Sequence, residues 1–277
     1  MKYAFINLLI RAVIVTLRLF SRVTRQRVAF FIARMILRCS PKTRNRGIKN
    51  IINAIPSLTA SEAKNMLFDS YQTIAFGVSE CFWLSDIKID IVCDEHTLAL
   101  LNNVKGVSVA TMHMSCFEAA PVAVEKLTGS VTTLSKIPAF LKFAEQVYQQ
   151  ANISVINTAE PNAFIKLLEV SRNYAAVCLH SDHYAKNVEV EFFNKTTGAP
   201  SGAAMVSAYN KVPLLLCYAI LQGNGRYKVT IETISEQPVA NSRVEITAAM
   251  QNIYQRFEQI ILQYPEQWYW SYNRWRD

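Results

Sequence analysis

The chain has 277 residues, a length that allows one large domain or two small ones. Hydrophobic residues make up 51% of it and charged residues 18%, with 8 glycines and 9 prolines, which excludes collagen-like, low-complexity and disordered chains because apolar surface is ample to offset the entropy of ordering. The formal charge is +8, but residues 1–50 hold 12 of the 29 basic residues and no acidic one, Glu62 being the first. The remainder is slightly acidic. Phosphate tracking along nucleic acid does not require the Leu, Ile, Val and Phe that fill this basic arm, so no nucleic-acid partner is expected.

In chain order, Tyr3–Phe20 reads first as an amphipathic helix. At 100° per residue Arg11, Arg18, Arg22 and Arg25 fall on one stripe, with Leu8 and Val13 to Leu17 over the rest. A central arginine penalises a membrane span, so a helix lying in the interface with its guanidiniums against lipid phosphates is the preferred reading, and a buried helix with its arginines paired elsewhere is the competing one. Val28–Leu37 continues that platform, and Arg44, Arg46 and Lys49 extend its basic surface. Thr59-Ala60-Ser61-Glu62 is a capping box that starts a helix running to about Leu84.

Strand-like runs follow at Val107–Met112, Ser130–Leu134, Ile153–Ile156, Ala175–Leu179, Pro213–Leu221 and Tyr227–Thr233. Helical patterns lie between them near Phe117–Leu127, Pro138–Gln150, Pro161–Asn173 and Ser201–Asn210, and Ser242–Gln263 closes the series. This alternation predicts an α/β fold, a central mixed sheet flanked by helices, with the N-terminal helices beside it. The six cysteines are scattered, without a C-x-x-C pair, and read as buried structural thiols of a reducing compartment.

His113 directly follows the strand Val107–Met112, where α/β sheets gather catalytic groups, and Glu118 stands five residues on at the start of the next helix. A carboxylate there can fix the imidazole tautomer and stabilise the imidazolium, which makes His113 a candidate general base oriented by Glu118. Alone the spacing is weak, and a structural histidine is the competing reading. His180, Asp182 and His183 after another strand leave open a metal site shared with His113, and hence a metal-dependent hydrolase.

The blocks that carry a family likeness come in order. They are His113 to Glu118, Leu179-His180-Ser181-Asp182-His183-Tyr184, Val190–Asn194 followed by Ser201–Ala204, and Tyr264-Pro265-Glu266-Gln267-Trp268-Tyr269-Trp270 with Asn273–Arg276. Together they make residues 110–277 resemble the lysophospholipid-acyltransferase superfamily, marked by H-x4-D/E, and within it the lipid A late acyltransferases (lauroyl and myristoyl transferases). The chain departs from that family in carrying Ser115-Cys116-Phe117 where G-N-W is common, and Tyr148–Gln150 where an arginine is expected.

The resemblance implies transfer of a fatty acyl chain from an acyl-carrier-protein thioester, or acyl-CoA, to a hydroxyl of a membrane glycolipid such as a lipid A precursor. It implies catalysis by His113 and Glu118, substrate contacts from Lys136, Asp182 and Arg274, and neither metal nor cofactor. The acyl chain would lie in an apolar groove along the helix of residues 60–84. Residues 1–55 would be basic amphipathic membrane-associated helices, residues 56–277 the α/β acyltransferase domain, and the site of action the cytoplasmic face of the inner membrane. The partners implied are membrane lipids, acyl carrier protein and the glycolipid acceptor. A non-catalytic homologue that binds lipid or acyl carrier is the alternative.

Overall fold

Helix starts are fixed by local chemistry. The Thr59 hydroxyl accepts from the Glu62 backbone N–H (3.3 Å) while the Glu62 carboxylate accepts from the Thr59 N–H (2.8 Å), closing the expected capping box. The computed structural model describes residues 2–102, 106–138, 141, 143–172, 176–223 and 225–276. Its elements are α1 (Lys2–Arg18), α2 (Arg22–Cys39), α3 (Pro41–Ala54), α4 (Ala60–Glu80), β1 (Ile89–Cys93), α5 (Glu95–Asn102), β2 (Ser108–Thr111), α6 (Ala119–Thr128), β3 (Val131–Ser135) and α7 (Ala144–Gln150). There follow β4 (Ile153–Asn157), α8 (Ala163–Ser171), β5 (Ala176–His180), β6 (Val188–Glu191), β7 (Thr196–Ala199), α9 (Gly202–Asn210), β8 (Leu214–Leu221), β9 (Tyr227–Ser235) and α10 (Arg243–Gln263).

The expected mixed sheet has seven strands in the order β1-β9-β8-β2-β5-β3-β4. Only β8 and β9 run antiparallel. Strand β8 shows why it sits centrally: Leu214, Leu216 and Tyr218 enter the core beneath α9 and α10, while Leu215, Cys217 and Ala219 enter the one beneath α5 and α6. A continuous apolar run is what two covered faces require.

Several elements escaped the hydropathy reading. Strand β1 carries Asp90, which Arg226 bonds from the neighbouring loop, so its charge is matched at the sheet edge. Strands β6 and β7 form a separate hairpin whose Val-Glu-Val-Glu alternation buries only the valines. Helix α3 looked like a mere basic stretch, but Gly47, Asn50 and Ile51 are buried on one side of it. Of the helix expected over Pro138–Gln150, residues 139, 140 and 142 lie outside the described residues, as do Asn173 and Ala175 at the margins of two other expected elements.

The arginine stripe is the main correction. All four arginines contact protein, Arg22 and Arg25 turned inward and Arg11 and Arg18 still exposed. Arg22 donates to Glu80 (2.6 Å) and lies over the Phe76 ring, Arg25 lies over Trp83, Arg18 pairs with Asp86 and Arg11 lies over Phe143. The acidic and aromatic side chains of α4 and the turn after it, residues 81–86, offered better partners than solvent. The apolar side of the arm is what points outward: Val15, Leu19, Phe20, Phe31, Ile32 and Ile36 are all exposed. Among the described residues no helix is long and apolar enough to cross a membrane. All six cysteines are free, with Cys116, Cys178 and Cys217 buried.

Candidate active site

The parallel register of β2 and β5 pairs Thr111 with His180, so the residues just past the two strand ends, His113 and Asp182, meet at the carboxyl edge of the sheet. Asp182 is 1% exposed and accepts three N–H bonds. They come from His113 Nδ1 (2.7 Å), the His113 backbone (3.0 Å) and Trp268 Nε1 (2.9 Å). Burial alone would raise its carboxyl, but the facing His113 imidazole, bonded to it, and the Trp268 donor hold it well below the usual carboxylate range. As an ionised acceptor it holds the His113 proton on Nδ1 and leaves Nε2 free to act as a base.

This replaces the Glu118 arrangement expected from spacing. Glu118 accepts from the Tyr148 hydroxyl (2.6 Å) and lies 3.6 Å from His180 Nε2, while His180 Nδ1 is bonded to Thr111 (2.7 Å). Burial opposes the Glu118 charge, yet the His180 and Tyr148 contacts lower its carboxyl overall. Tyr148 belongs to the stretch where the resemblance led us to expect an arginine. Five residues of loop and first turn are enough to aim Glu118 behind His180, whose ring centre is 4.6 Å from that of His113.

A second feature is an aromatic stack. The ring of His183 lies parallel to that of His113, centres 3.6 Å apart and planes at 4°, and Tyr272 stacks on its other side at 3.8 Å and 9°. Parallel rings send their in-plane lone pairs along parallel planes, and both Asp182 oxygens already accept N–H bonds. The donor atoms of His113, Asp182 and His183 lie within 4.8 Å of one another, but they do not converge as metal ligands would.

The C-terminal block is a strap over this site. Met114 bridges Trp268, the Ser115 N–H donates to the Gln267 carbonyl (2.8 Å) and the Tyr269 N–H to the His113 carbonyl (3.3 Å). The strap is pinned from outside: Gln267 completes the end of β8 at Leu221, and Asn50 of α3 donates to the carbonyls of Trp270 and Tyr272. Arg274 is fully buried. It donates to Thr197 and Gly198 of β7 and lies over Phe192 and Tyr254, so it ties the strap to the hairpin and offers no surface to a substrate, contrary to expectation. Asp182 likewise contacts His113 and Trp268 in place of a substrate. Lys136 is exposed one residue past β3 and does not line the cleft.

That cleft has a volume of about 390 Å³ and is walled by Tyr71, Ile74, Ala75 and Val78 of α4 and Ile36 of α2, with His113, His183, Phe117 and Tyr269 completing it. Sequence reading had placed α4 there. Gly77, on the same helix, lets the His113 loop approach: a Cβ built on it would lie 2.7 Å from Cys116 Cα. The β2–β5 register joining His113 to Asp182, the Trp268 bond and the stacking by His183 could not be seen in a linear spacing.

The sheet thus sets a carboxylate-held imidazole at the mouth of an apolar cleft, beside an arm whose apolar side is exposed. The chain belongs to the bacterial lipid A biosynthesis acyltransferase family, whose model matches residues 1–277, and is thus an O-acyltransferase of an inner-membrane-associated family. Family membership implies an acyl donor and a lipid A precursor as acceptor. No curated protein matches the chain.

Two outcomes are expected. Ser115 adopts φ 52° and its buried hydroxyl has no hydrogen-bond partner, so Ser115→Gly removes both costs and raises unfolding free energy by about 1 kcal/mol in a denaturant titration; a loss of stability would contradict the strain. Burial and the neighbouring His113 push His183 down to about 3 from an ordinary 6.5, against the pull of Asp182. The unfolded chain then binds that proton first, and stability contributed by neutral His183 fades as pH falls from about 6.5 toward 3. Between about pH 7 and pH 5, His183→Phe should therefore lose less melting temperature than the unmodified protein, whose slope includes up to about 1.4 kcal/mol per pH unit from this group. An equal or steeper loss in the variant would show that His183 is not held neutral.

Proposed function

We propose that His113 is the general base that transfers a fatty acyl chain from an acyl-carrier-protein or coenzyme A thioester to a hydroxyl of a membrane glycolipid, a lipid A precursor, at the cytoplasmic face of the inner membrane. The observation that carries this reading is the 2.7 Å bond from His113 Nδ1 to buried Asp182, at a cleft of about 390 Å³ walled by apolar side chains of α4. Nε2 takes the proton of the acceptor hydroxyl as its oxygen attacks the thioester carbonyl. A tetrahedral oxyanion forms. When it collapses the new O–acyl bond is complete, the C–S bond breaks, and the imidazolium returns the proton to the leaving thiolate. No covalent acyl-enzyme is needed.

Asp182 acts through His113 by fixing its tautomer and balancing the imidazolium charge. Glu118, ionised behind His180, adds negative charge near the same ring. Ile74, Ala75, Val78 and Ile36 would hold the first part of the acyl chain, and the exposed apolar side of α2 would place the mouth of the cleft against lipid. A carboxylate-held base beside an apolar slot supports transfer over mere lipid binding, because a binder has no use for the buried ion.

Variants separate the roles. His113→Ala should lower acyl transfer by roughly 10²–10⁴-fold. In Asp182→Asn the amide oxygen would stay with the two N–H donors, His113 N and Trp268 Nε1, which turns the amide NH₂ toward Nδ1 and forces the proton onto Nε2. The base is then lost, at a cost of about 10⁴-fold by analogy with other histidine–aspartate pairs. Glu118→Gln keeps the tautomer and should cost about tenfold or less, as expected of a single hydrogen bond or screened charge. Transfer would be measured with an acyl-carrier-protein thioester and lipid A precursor in mixed micelles. If Glu118→Gln matched Asp182→Asn, the dyad would be His113 with Glu118, and full activity of His113→Ala would refute the base.

A further inference from the structure

A second, larger cleft of about 750 Å³ opens between α2, α3 and α4, lined by Arg34 and Arg38 of α2, by Arg44 of α3 and by Lys64, Asn65, Phe68 and Asp69 of α4. Four cations face one carboxylate. None of the four forms an ion pair among the described residues, in contrast to Arg18, Arg22 and Arg226, which are matched by acids. Arg44 is held in place, its Nη1 donating to the carbonyls of Leu37 (3.3 Å) and Arg38 (2.9 Å) at the end of α2. Arg34 and Arg38 are one helical turn apart on the same side of α2 and are exposed.

The position of these cations selects the kind of anion. The same turns of α2 present Phe31, Ile32 and Met35 outward, so Arg34 and Arg38 stand at the level where an apolar helix face gives way to lipid headgroups. Helix α4 supplies Lys64 and Phe68 to this cleft and Ala75 and Val78 to the reaction cleft. Tyr71 of the reaction cleft follows Phe68 of this one by three residues, about 4–5 Å of helix, so a single lipid headgroup can touch both clefts. Guanidinium groups match the oxygens of a phosphate in pairs, and several of them around one carboxylate favour a doubly charged anion.

We infer that the Arg34–Arg38–Arg44–Lys64 cleft binds a phosphate monoester on the headgroup of the membrane-embedded acceptor and thereby sets which hydroxyl reaches His113. The inference rests on the proposed acyl transfer for the second clause only; headgroup binding stands independently. An acidic protein surface, such as that of an acyl carrier, would be met on a water-facing side and not on the rim of an apolar helix face, so the lipid is the occupant favoured.

Flotation of the full-length protein with phosphatidylcholine vesicles, alone or doped with phosphatidic acid (a monoester) or phosphatidylglycerol (a diester), tests it. The unmodified protein should prefer phosphatidic acid, and the Arg34→Gln/Arg38→Gln double variant should lose about tenfold or more of that affinity while binding pure phosphatidylcholine unchanged. His113→Ala should float like the unmodified protein, so a failure of the catalytic reading leaves this comparison intact. Circular dichroism would verify that the double variant is folded, and an Arg34→Lys/Arg38→Lys variant should recover part of the binding. Equal loss on both anionic lipids would reduce the cleft to general charge attraction and overturn the inference. So would unchanged binding to phosphatidic acid.

Discussion

The site depends on one buried carboxylate with three N–H donors. An ionised aspartate at 1% exposure is costly unless each oxygen is satisfied, and Asp182 is satisfied by two groups of His113 and by the indole of Trp268. The donors come from two distant parts of the chain: the end of β2, which supplies two, and the strap that follows α10, which supplies the third. The requirement to neutralise that charge therefore welds the C-terminal block to the carboxyl edge of the sheet. It also explains why the strap is pinned so heavily, by Gln267 to Leu221 and by Asn50 to Trp270 and Tyr272. A mobile strap would leave Asp182 short of a donor and His113 short of an orientation.

The N-terminal arm applies the same electrostatics with opposite topology. Arginines on an amphipathic helix are commonly the solvated face, but Arg22 and Arg25 turn inward to Glu80 and to the Phe76 and Trp83 rings, where cation–π contact and an ion pair reinforce each other. Leucine, valine and phenylalanine are thereby left on the outside. The arm adheres to the α/β body through its charges and leaves its apolar side exposed. Helix α4 joins the two functions: its acidic end receives Arg22, its middle walls the reaction cleft, and its first turns line the basic one.

Much of the fold was legible in the residues. Six strands of the main sheet and its long helices followed from apolar runs, and the Thr59–Glu62 box marked where α4 begins. The position of His113 was legible, because a histidine just past a strand is where such sheets place chemistry. Its partner was not. Whether His113 bonds Glu118, five residues away, or Asp182, sixty-nine residues away, depends on β5 lying next to β2, and strand order is absent from hydropathy. The direction of the arginine stripe was hidden for the same reason: periodicity says which residues share a face but not what that face meets. Ser115 had a signal that could have been read further. The family resemblance puts glycine there, and the φ of 52° shows why a residue without a side chain suits the turn.

The tautomer of His113 is the most direct probe of the carboxylate that organises the site. Ring-nitrogen spectra of ¹⁵N-histidine-labelled protein, with the His113 signals assigned by their loss in His113→Gln, should show a proton on Nδ1 in a strong hydrogen bond and a bare, basic Nε2. A proton resident on Nε2, or an Nδ1 signal left unmoved when Asp182 is replaced by alanine, would contradict it.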